Sequence, residues 1–338
     1  MNKIIFFDSK EYERAFFEST LSKEFELVFI NESLYPETTL DESILETEIL
    51  CVFTSSRLTK EVLSKFKNLK LIATRSVGYS HIDVEYCKSN GIKIANTPRY
   101  GDYTIAEYSF GILLSAVRKI SKAQNDVKAG LINQHYFGTE LFDKTIGIVG
   151  LGSIGSKALK IAKGFSMNVI AFDLYKNEAL QKEYDFEYVD IDYLCKNSDI
   201  ISLYAPSTKD NYHLINKERI ETMKDGVIIV NTARGELIDS QALYNALIDN
   251  KVAYAALDVL ECEEALAKNC RYIKDSSCGD PTCLRRSLIN HKLLTLPNVV
   301  VTPHSAYDTK EALDRIIEMT INNIEMFNRG QEIKNSVC

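Results

Sequence analysis

Hydrophobic residues in this chain gather into short, nearly continuous runs, separated by longer stretches in which they recur every three or four positions. The runs at 3–7, 26–30, 49–53, 69–74 and 92–95 are rich in Ile, Val, Leu and Phe on consecutive positions. They are too short for buried helices, and they predict strands covered on both faces, as in a parallel sheet. A second set follows at 146–149, 168–173, 200–204, 226–231, 253–259 and 299–302. Between the sets a helix is expected to begin near Tyr103, with Ile105, Phe110, Leu113, Leu114, Val117 and Ile120 on one stripe. The last helix is expected to start at Asp308 as N-cap, with Glu311 three residues on, and to run through Leu313, Ile316, Ile317, Ile321, Ile324 and Phe327 to Gly330. Strand and helix alternate from end to end without an internal repeat, which is the α/β pattern. Pro98 and Pro297 fall near two crossings between domains. The division expected is therefore 1–100 with 301–338 in one domain and 101–300 in the other, so that the final helix returns to the first domain.

One strand boundary carries chemistry. The run at 146–149 enters Gly150-Leu-Gly152-Ser153-Ile154-Gly155, and the next strand ends on Asp173. Strand, glycine turn, helix, strand and acid in that order predict a dinucleotide site. Gly150 permits the tight turn, Gly152 lets backbone approach a pyrophosphate, and Gly155 allows close packing of helix on strand. The pyrophosphate is expected on the helix N-terminus, where free N–H groups favour an anion. Asp173 is expected to accept hydrogen bonds from both ribose hydroxyls. Its carboxylate repels a 2′-phosphate, and Leu174 and Tyr175 offer no guanidinium to receive one, although Lys176 is near. The expected cofactor is NAD. The architecture expected is thus two doubly wound parallel-sheet domains, the second an inserted Rossmann domain for NAD.

Composition narrows the class without changing it. The 338 residues, 45% hydrophobic and 26% charged, suffice for more than one core. A net charge of −7 gives no basic footprint for nucleic acid. The apolar run after Met1-Asn2-Lys3 stops at Asp8, too short for a signal peptide, and no segment reaches membrane-spanning length. The terminal Cys338 is not a prenylation box. A cytoplasmic protein with no membrane partner is expected. Its eight cysteines are then expected to be free thiols. Cys262, Cys270, Cys278 and Cys283 crowd one segment with His291 nearby, but their spacing matches no zinc finger or ribbon, so no metal is expected.

Three charged residues stand at or just beyond the carboxyl ends of late strands, where open parallel sheets place ligands. Arg234 follows the run at 226–231, Glu263 follows 253–259, and His304 follows 299–302. Arg234 offers a planar fork for a carboxylate. Each has a plain structural reading when taken singly: a loop cation, a solvated acid, a satisfied histidine.

Taken together with the glycine tract, the segments Asn231-Thr232-Ala233-Arg234-Gly235, Leu257-Asp258-Val259 with Glu263, and Thr302-Pro303-His304 resemble the D-isomer-specific 2-hydroxyacid dehydrogenases. Thr74-Arg75-Ser76-Val77-Gly78-Tyr79, His81-Ile82-Asp83, Tyr100 and Ile105-Ala106-Glu107 resemble first-domain segments of the same family, so the resemblance spans nearly the whole chain. Within the family, Glu263-Glu264 and the segment 302–307 are similar to D-lactate dehydrogenases and to the dehydrogenase of vancomycin-resistance operons. The resemblance implies that NADH gives a hydride to a 2-oxo acid, pyruvate first, while His304 supplies the proton, forming a D-2-hydroxy acid. Glu263 then orients the imidazole and favours its charged form. Arg234 clamps the substrate carboxylate with the backbone N–H groups of Val77 and Gly78, and Tyr100 adds a hydrogen bond. Ser153, Ile154, Pro206, Thr232, Ala233 and Asp258 join the glycines and Asp173 around the cofactor, with Asp258 toward the nicotinamide. A flavodoxin-like substrate domain beside the Rossmann domain, and a homodimer, are also implied.

Two features depart from the family pattern. The interval between Glu263 and His304 is longer than in shorter relatives and rich in cysteine, with Cys262 beside Glu263. The segment Thr97-Pro98-Arg99-Tyr100-Gly101-Asp102-Tyr103 stands where lactate enzymes commonly carry Ala-Tyr-Ser-Pro. Competing readings are a glycerate, phosphoglycerate or phosphite dehydrogenase, and, from another class, an NAD-sensing corepressor. The C-terminal regulatory domain of many phosphoglycerate enzymes is not expected, and the intact Arg, Glu and His set favours catalysis.

Overall fold

The computed structural model describes residues 2–266 and 281–338, which form two compact units, Met1–Tyr100 with Thr309–Cys338, and Gly101–Asp308. In the first, strands β1 (Asn2–Phe6), β2 (Phe25–Phe29), β3 (Ile49–Val52), β4 (Leu71–Thr74) and β5 (Lys93–Ala95) form a parallel sheet in the order β2-β1-β3-β4-β5. This is the flavodoxin-like order. Successive residues of β1 feed opposite cores: Ile5 joins Leu50, Val52 and Ile72 on one face, while Ile4 and Phe6 join Ile49, Cys51 and Leu71 on the other. A strand buried on both faces cannot alternate apolar with polar, which is why these strands are legible as runs. The helix Lys310–Asn328 covers the second face through Ile317 and Ile324, packed beside the helix Glu11–Leu21. Its N-cap is Thr309 rather than the expected Asp308. The Thr309 hydroxyl accepts from Ala312 N at 3.2 Å, whereas Asp308 N is spent on the preceding turn, donating to Ser305 O at 3.0 Å.

The second unit holds, among the described residues, β6 (Thr145–Val149), β7 (Asn168–Phe172), β8 (Glu187–Tyr188), β9 (Ile200–Leu203), β10 (Val227–Asn231), β11 (Val252–Leu257) and β12 (Val299–Val301). They run parallel in the order β12-β11-β10-β9-β6-β7-β8. Read from its own first strand this is the Rossmann order 3-2-1-4-5-6 with one strand added. Ile228 and Val230 of β10 point into one core and Val227 and Ile229 into the other. The unit extends to Asp308, past the expected boundary at 300, because β12 pairs with β11 and the following loop is tied to Asp258. The expected helix near Tyr103 spans Asp102–Val117 and stops there. Lys119 adopts a left-handed conformation and starts a separate helix, Ile120–Lys128, so Ile120 leaves the stripe and is exposed. β8 has only two residues and left no periodic signal. No helix among the described residues is long and apolar enough to cross a membrane.

Candidate active site

The order of the second sheet reverses between β6 and β9, and the glycine turn lies at the carboxyl end of β6. Gly150 has φ +88°, and a Cβ there would lie 2.6 Å from Ala205 N, so both conformation and space demand glycine. A Cβ on Gly155 would sit 2.0 Å from Gly150 O, which is the close helix-to-strand approach expected of it. At Gly152 a Cβ meets no protein atom within 4 Å. Gly152 is the N-cap of the helix Ser153–Gly164 and offers no side-chain cap to its first N–H groups. Ser153 is exposed and Ile154 half-buried. Asp173 is oriented by two backbone amides, with Leu151 N donating to Oδ2 at 2.6 Å and Tyr175 N to Oδ1 at 2.8 Å. These contacts hold the carboxylate at the rim of the turn and leave each oxygen a lone pair for a hydroxyl. Pro206, just beyond β9, is exposed and its carbonyl accepts from Asn211 Nδ2 at 2.7 Å.

At the end of β10, Asn231 is buried and its amide shapes the next three residues. Its Oδ1 accepts from Ala233 N and its Nδ2 donates to Arg234 O, both at 2.9 Å. The turn presents an exposed Arg234 and buries Thr232 and Ala233. Thr232 Oγ1 is buried without a hydrogen-bond partner among the described residues. An orphaned buried hydroxyl beyond β10, an uncapped helix N-terminus and open space at Gly152 together fit a dinucleotide. The sequence marks Asn231 only as part of a motif. Its positioning role rests on contacts two and three residues along the chain, and the Asn-x-x-Arg spacing is its one signal in sequence.

Beyond β11 and β12 the remaining charges meet. Glu263 Oε1 lies 2.5 Å from His304 Nδ1, and its Oε2 accepts from Leu260 N at 3.1 Å. The Glu263 contact assigns the Nδ1 proton and leaves Nε2 as the ring nitrogen outside that contact. The His304 side chain keeps 45% of its surface exposed. Its pKa is raised, first by the hydrogen bond to Glu263 and then by that carboxylate's charge, while desolvation and Arg234 oppose the rise. His304 has φ +52°, and its N–H donates to Asp258 O at 2.9 Å. Asp258 is almost fully buried, and its carboxylate accepts from Thr302 Oγ1 at 2.6 Å, Ser305 N at 3.0 Å and Ala306 N at 2.9 Å. The structure thus places the Asp258 carboxylate on the loop that carries His304.

In the first unit, Val77 is exposed and Gly78 half-buried. Their loop is held by Ser76 Oγ donating to Gly78 O at 2.7 Å and Asn96 Nδ2 donating to Val77 O at 2.9 Å. Tyr100 is buried, and its carbonyl accepts from Arg315 Nε at 2.7 Å. Of the clustered cysteines, Cys270 and Cys278 lie outside the described residues, and Cys262 and Cys283 are free thiols.

A Rossmann sheet with a glycine turn at its reversal and an acid-paired histidine at neighbouring strand ends defines a dinucleotide-dependent oxidoreductase. Residues 110–306 match the NAD binding domain of the D-isomer specific 2-hydroxyacid dehydrogenases, and the chain belongs to that family. A hydroxypyruvate reductase of Thermotoga maritima is 41% identical over 274 residues, covering 81% of this chain and 82% of the relative. An aromatic 2-oxoacid reductase of Clostridium sporogenes is 40% identical over 289 residues, covering 82% of each. The crystal structure of D-lactate dehydrogenase from Aquifex aeolicus complexed with NAD and lactic acid superposes with a TM-score of 0.86 at 35% identity, over 99% of this chain and 98% of that one. The two-sheet α/β fold is that of the family, the second unit is its NAD-binding domain, and the protein is a D-2-hydroxyacid dehydrogenase.

Proposed function

We propose that this enzyme reduces a 2-oxo acid to the D-2-hydroxy acid with NADH, with pyruvate to D-lactate as its first reaction and larger 2-oxo acids as further substrates. The observation that carries this reading is the 2.5 Å Glu263–His304 pair beside the strand end that presents Arg234. When bound, NADH supplies the hydride. His304 Nε2 then delivers the proton to the substrate oxygen, and the raised imidazole pKa keeps that proton available near neutral pH. Arg234 binds the carboxylate through its guanidinium fork. Val77, Gly78 and Tyr100 are the proposed substrate contacts of the first unit. Gly150, Gly152, Ser153, Ile154, Gly155, Asp173, Pro206, Thr232, Ala233 and Asp258 are the proposed cofactor residues, with Asp173 favouring NADH over NADPH.

The test is a panel of initial rates with pyruvate, 2-oxoisocaproate, phenylpyruvate and hydroxypyruvate, each with NADH and NADPH. Pyruvate and NADH should lead. A higher kcat/KM for phenylpyruvate or hydroxypyruvate overturns the lactate assignment while leaving the reaction class intact. His304→Ala should lower kcat by roughly a hundredfold or more, and near-normal turnover rules out the general acid. A homodimer is proposed on the apolar side chains of Leu131, Ile132, Phe137 and Phe142, exposed by 50 to 84% between the helix Ile120–Lys128 and β6. Light scattering that returns a monomer mass removes it. The free thiols Cys51, Cys87 and Cys195 support a reducing, cytoplasmic setting.

A further inference from the structure

Glu261, two residues before Glu263, is a buried carboxylate that the proposed chemistry does not use. Its side chain is 2% exposed. Oε1 lies 2.8 Å from His213 Nε2, accepts from Tyr212 Oη at 3.1 Å, and faces Arg286 Nε at 3.3 Å. Oε2 accepts from Ser240 Oγ at 2.9 Å and Ser240 N at 3.3 Å. The Glu261 carbonyl accepts from Asn290 Nδ2 at 2.6 Å. These donors come from the loop beyond β9, the start of the helix Ser240–Ile248 and the helix Pro281–Thr295. One side chain therefore ties three elements to the segment that ends in Glu263.

That segment also touches both other parts of the proposed site. Leu260 N donates to Glu263 Oε2, so the backbone anchored by Glu261 sets the carboxylate that meets His304. A Cβ on Gly235 would lie 2.1 Å from Leu260 C and 2.3 Å from Glu261 N, so the turn that presents Arg234 rests on the same two residues. A purely structural carboxylate needs partners, since burying one unpaired is costly. It has no need to sit where the Glu263 segment and the Arg234 turn converge.

We propose that Glu261 is a positioning residue for the reaction, fixing Glu263 against His304 through the 260–263 backbone. The inference rests on His304 as the proton donor. The charged and titratable groups facing His304 are Glu263, Arg234 and Asp258. Those facing Glu261 are Tyr212, His213 and Arg286, with Asp239 3.9 Å from His213 and Cys262 beside Arg286. Loosening Glu263 removes the interaction that raises the imidazole pKa, so that pKa falls. Reduction needs the imidazolium and is lost at a lower pH, while oxidation needs the neutral ring and is gained at a lower pH. General loss of stability does not move these two limbs together.

The experiment is kcat/KM against pH for pyruvate with NADH and for D-lactate with NAD, in Glu261→Ala, Glu261→Gln, Arg286→Ala and His304→Asn. If another 2-oxo acid leads the panel, it and its D-hydroxy product replace pyruvate and D-lactate. Glu261→Ala should move both limbs down by about one pH unit, with kcat falling more than KM rises. Glu261→Gln, which keeps an acceptor for Ser240, should move them less. Should Glu261→Ala not fold, Arg286→Ala carries the test, because that side chain is partly exposed and its loss should give a smaller shift in the same direction. Limbs that stay in place in the folded variants, while His304→Asn abolishes turnover, overturn the inference alone. A His304→Asn enzyme with both limbs intact shows instead that the reading beneath it has failed.

Discussion

The two units solve the same topological problem in opposite ways. Each has a parallel sheet with a reversal of strand order, and each continues from its first central strand into a residue with positive φ. In the second unit that residue is Gly150, and the side chains beyond it leave space at Gly152 and an unsatisfied hydroxyl on Thr232. In the first unit it is Asp8, whose carboxylate accepts from Ser33 Oγ, from Ser56 Oγ at 2.6 Å and from Phe53 N at 3.2 Å. Arg75 closes the crevice further: it is 1% exposed, pairs with Glu13, donates to Phe7 O at 2.5 Å and reaches toward Val52 O. The same architecture is a ligand cradle in one unit and a filled, charged core in the other. Side chains at the reversal, and not the fold, decide which.

The sharpest way to break this contrast is to unfill the first crevice. Arg75→Met leaves Glu13 buried without its cation, and should destabilise the protein by about 3–5 kcal/mol. Urea unfolding checks it. The double variant Arg75→Met, Glu13→Leu should recover most of the loss, because the cost lies in the orphaned charge and not in the missing pair. A single variant within 1 kcal/mol of the parent would mean that the crevice is not held by this pair.

The histidines sharpen the comparison, since the two units shift them in opposite directions. His81 in the first unit is 6% exposed, and burial first, then Arg57, lowers its pKa from 6.5 to about 4. His304 is raised by Glu263. For His81 the unfolded chain binds a proton below pH 6.5 while the folded chain does not until about pH 4. Stability is therefore complete above pH 6.5 and declines as pH falls toward 4, by at most about 3 kcal/mol. Unfolding midpoints across this range should flatten in His81→Asn, and an unchanged slope would place the acid sensitivity elsewhere.

How much of this was legible beforehand follows from which interactions are local. The strands were readable because both faces of each sheet are buried, which turns every strand into an apolar run. The glycine turn was readable because positive φ at Gly150 and close approach at Gly155 are demands on single residues. The end of the helix at Val117, the cap at Thr309 and the two-residue β8 are not legible, since one left-handed residue, one hydroxyl and one short pairing leave no period. The triad positions came from family motifs, but their mechanical support did not. The hold of Asp258 on the His304 loop and the convergence on Glu261 link residues far apart in sequence, and only folding brings their donors together.

The smallest expected effect tests whether the second crevice is open for a ligand or merely imperfect. Thr232 Oγ1 already carries the cost of burial without a partner, so Thr232→Val removes an unsatisfied group and should leave stability unchanged or raise it by up to about 1 kcal/mol. If the hydroxyl is kept for the cofactor, the same substitution weakens NADH binding by about 1 kcal/mol, close to a fivefold rise in Kd. Thr232→Ser, which keeps the oxygen, should bind like the parent. Fluorescence titration with NADH and thermal melts without it separate the two effects. A Val variant that is more stable and binds as tightly would make the orphan a packing defect, and the contrast with the filled crevice of the first unit would then rest on the glycines alone.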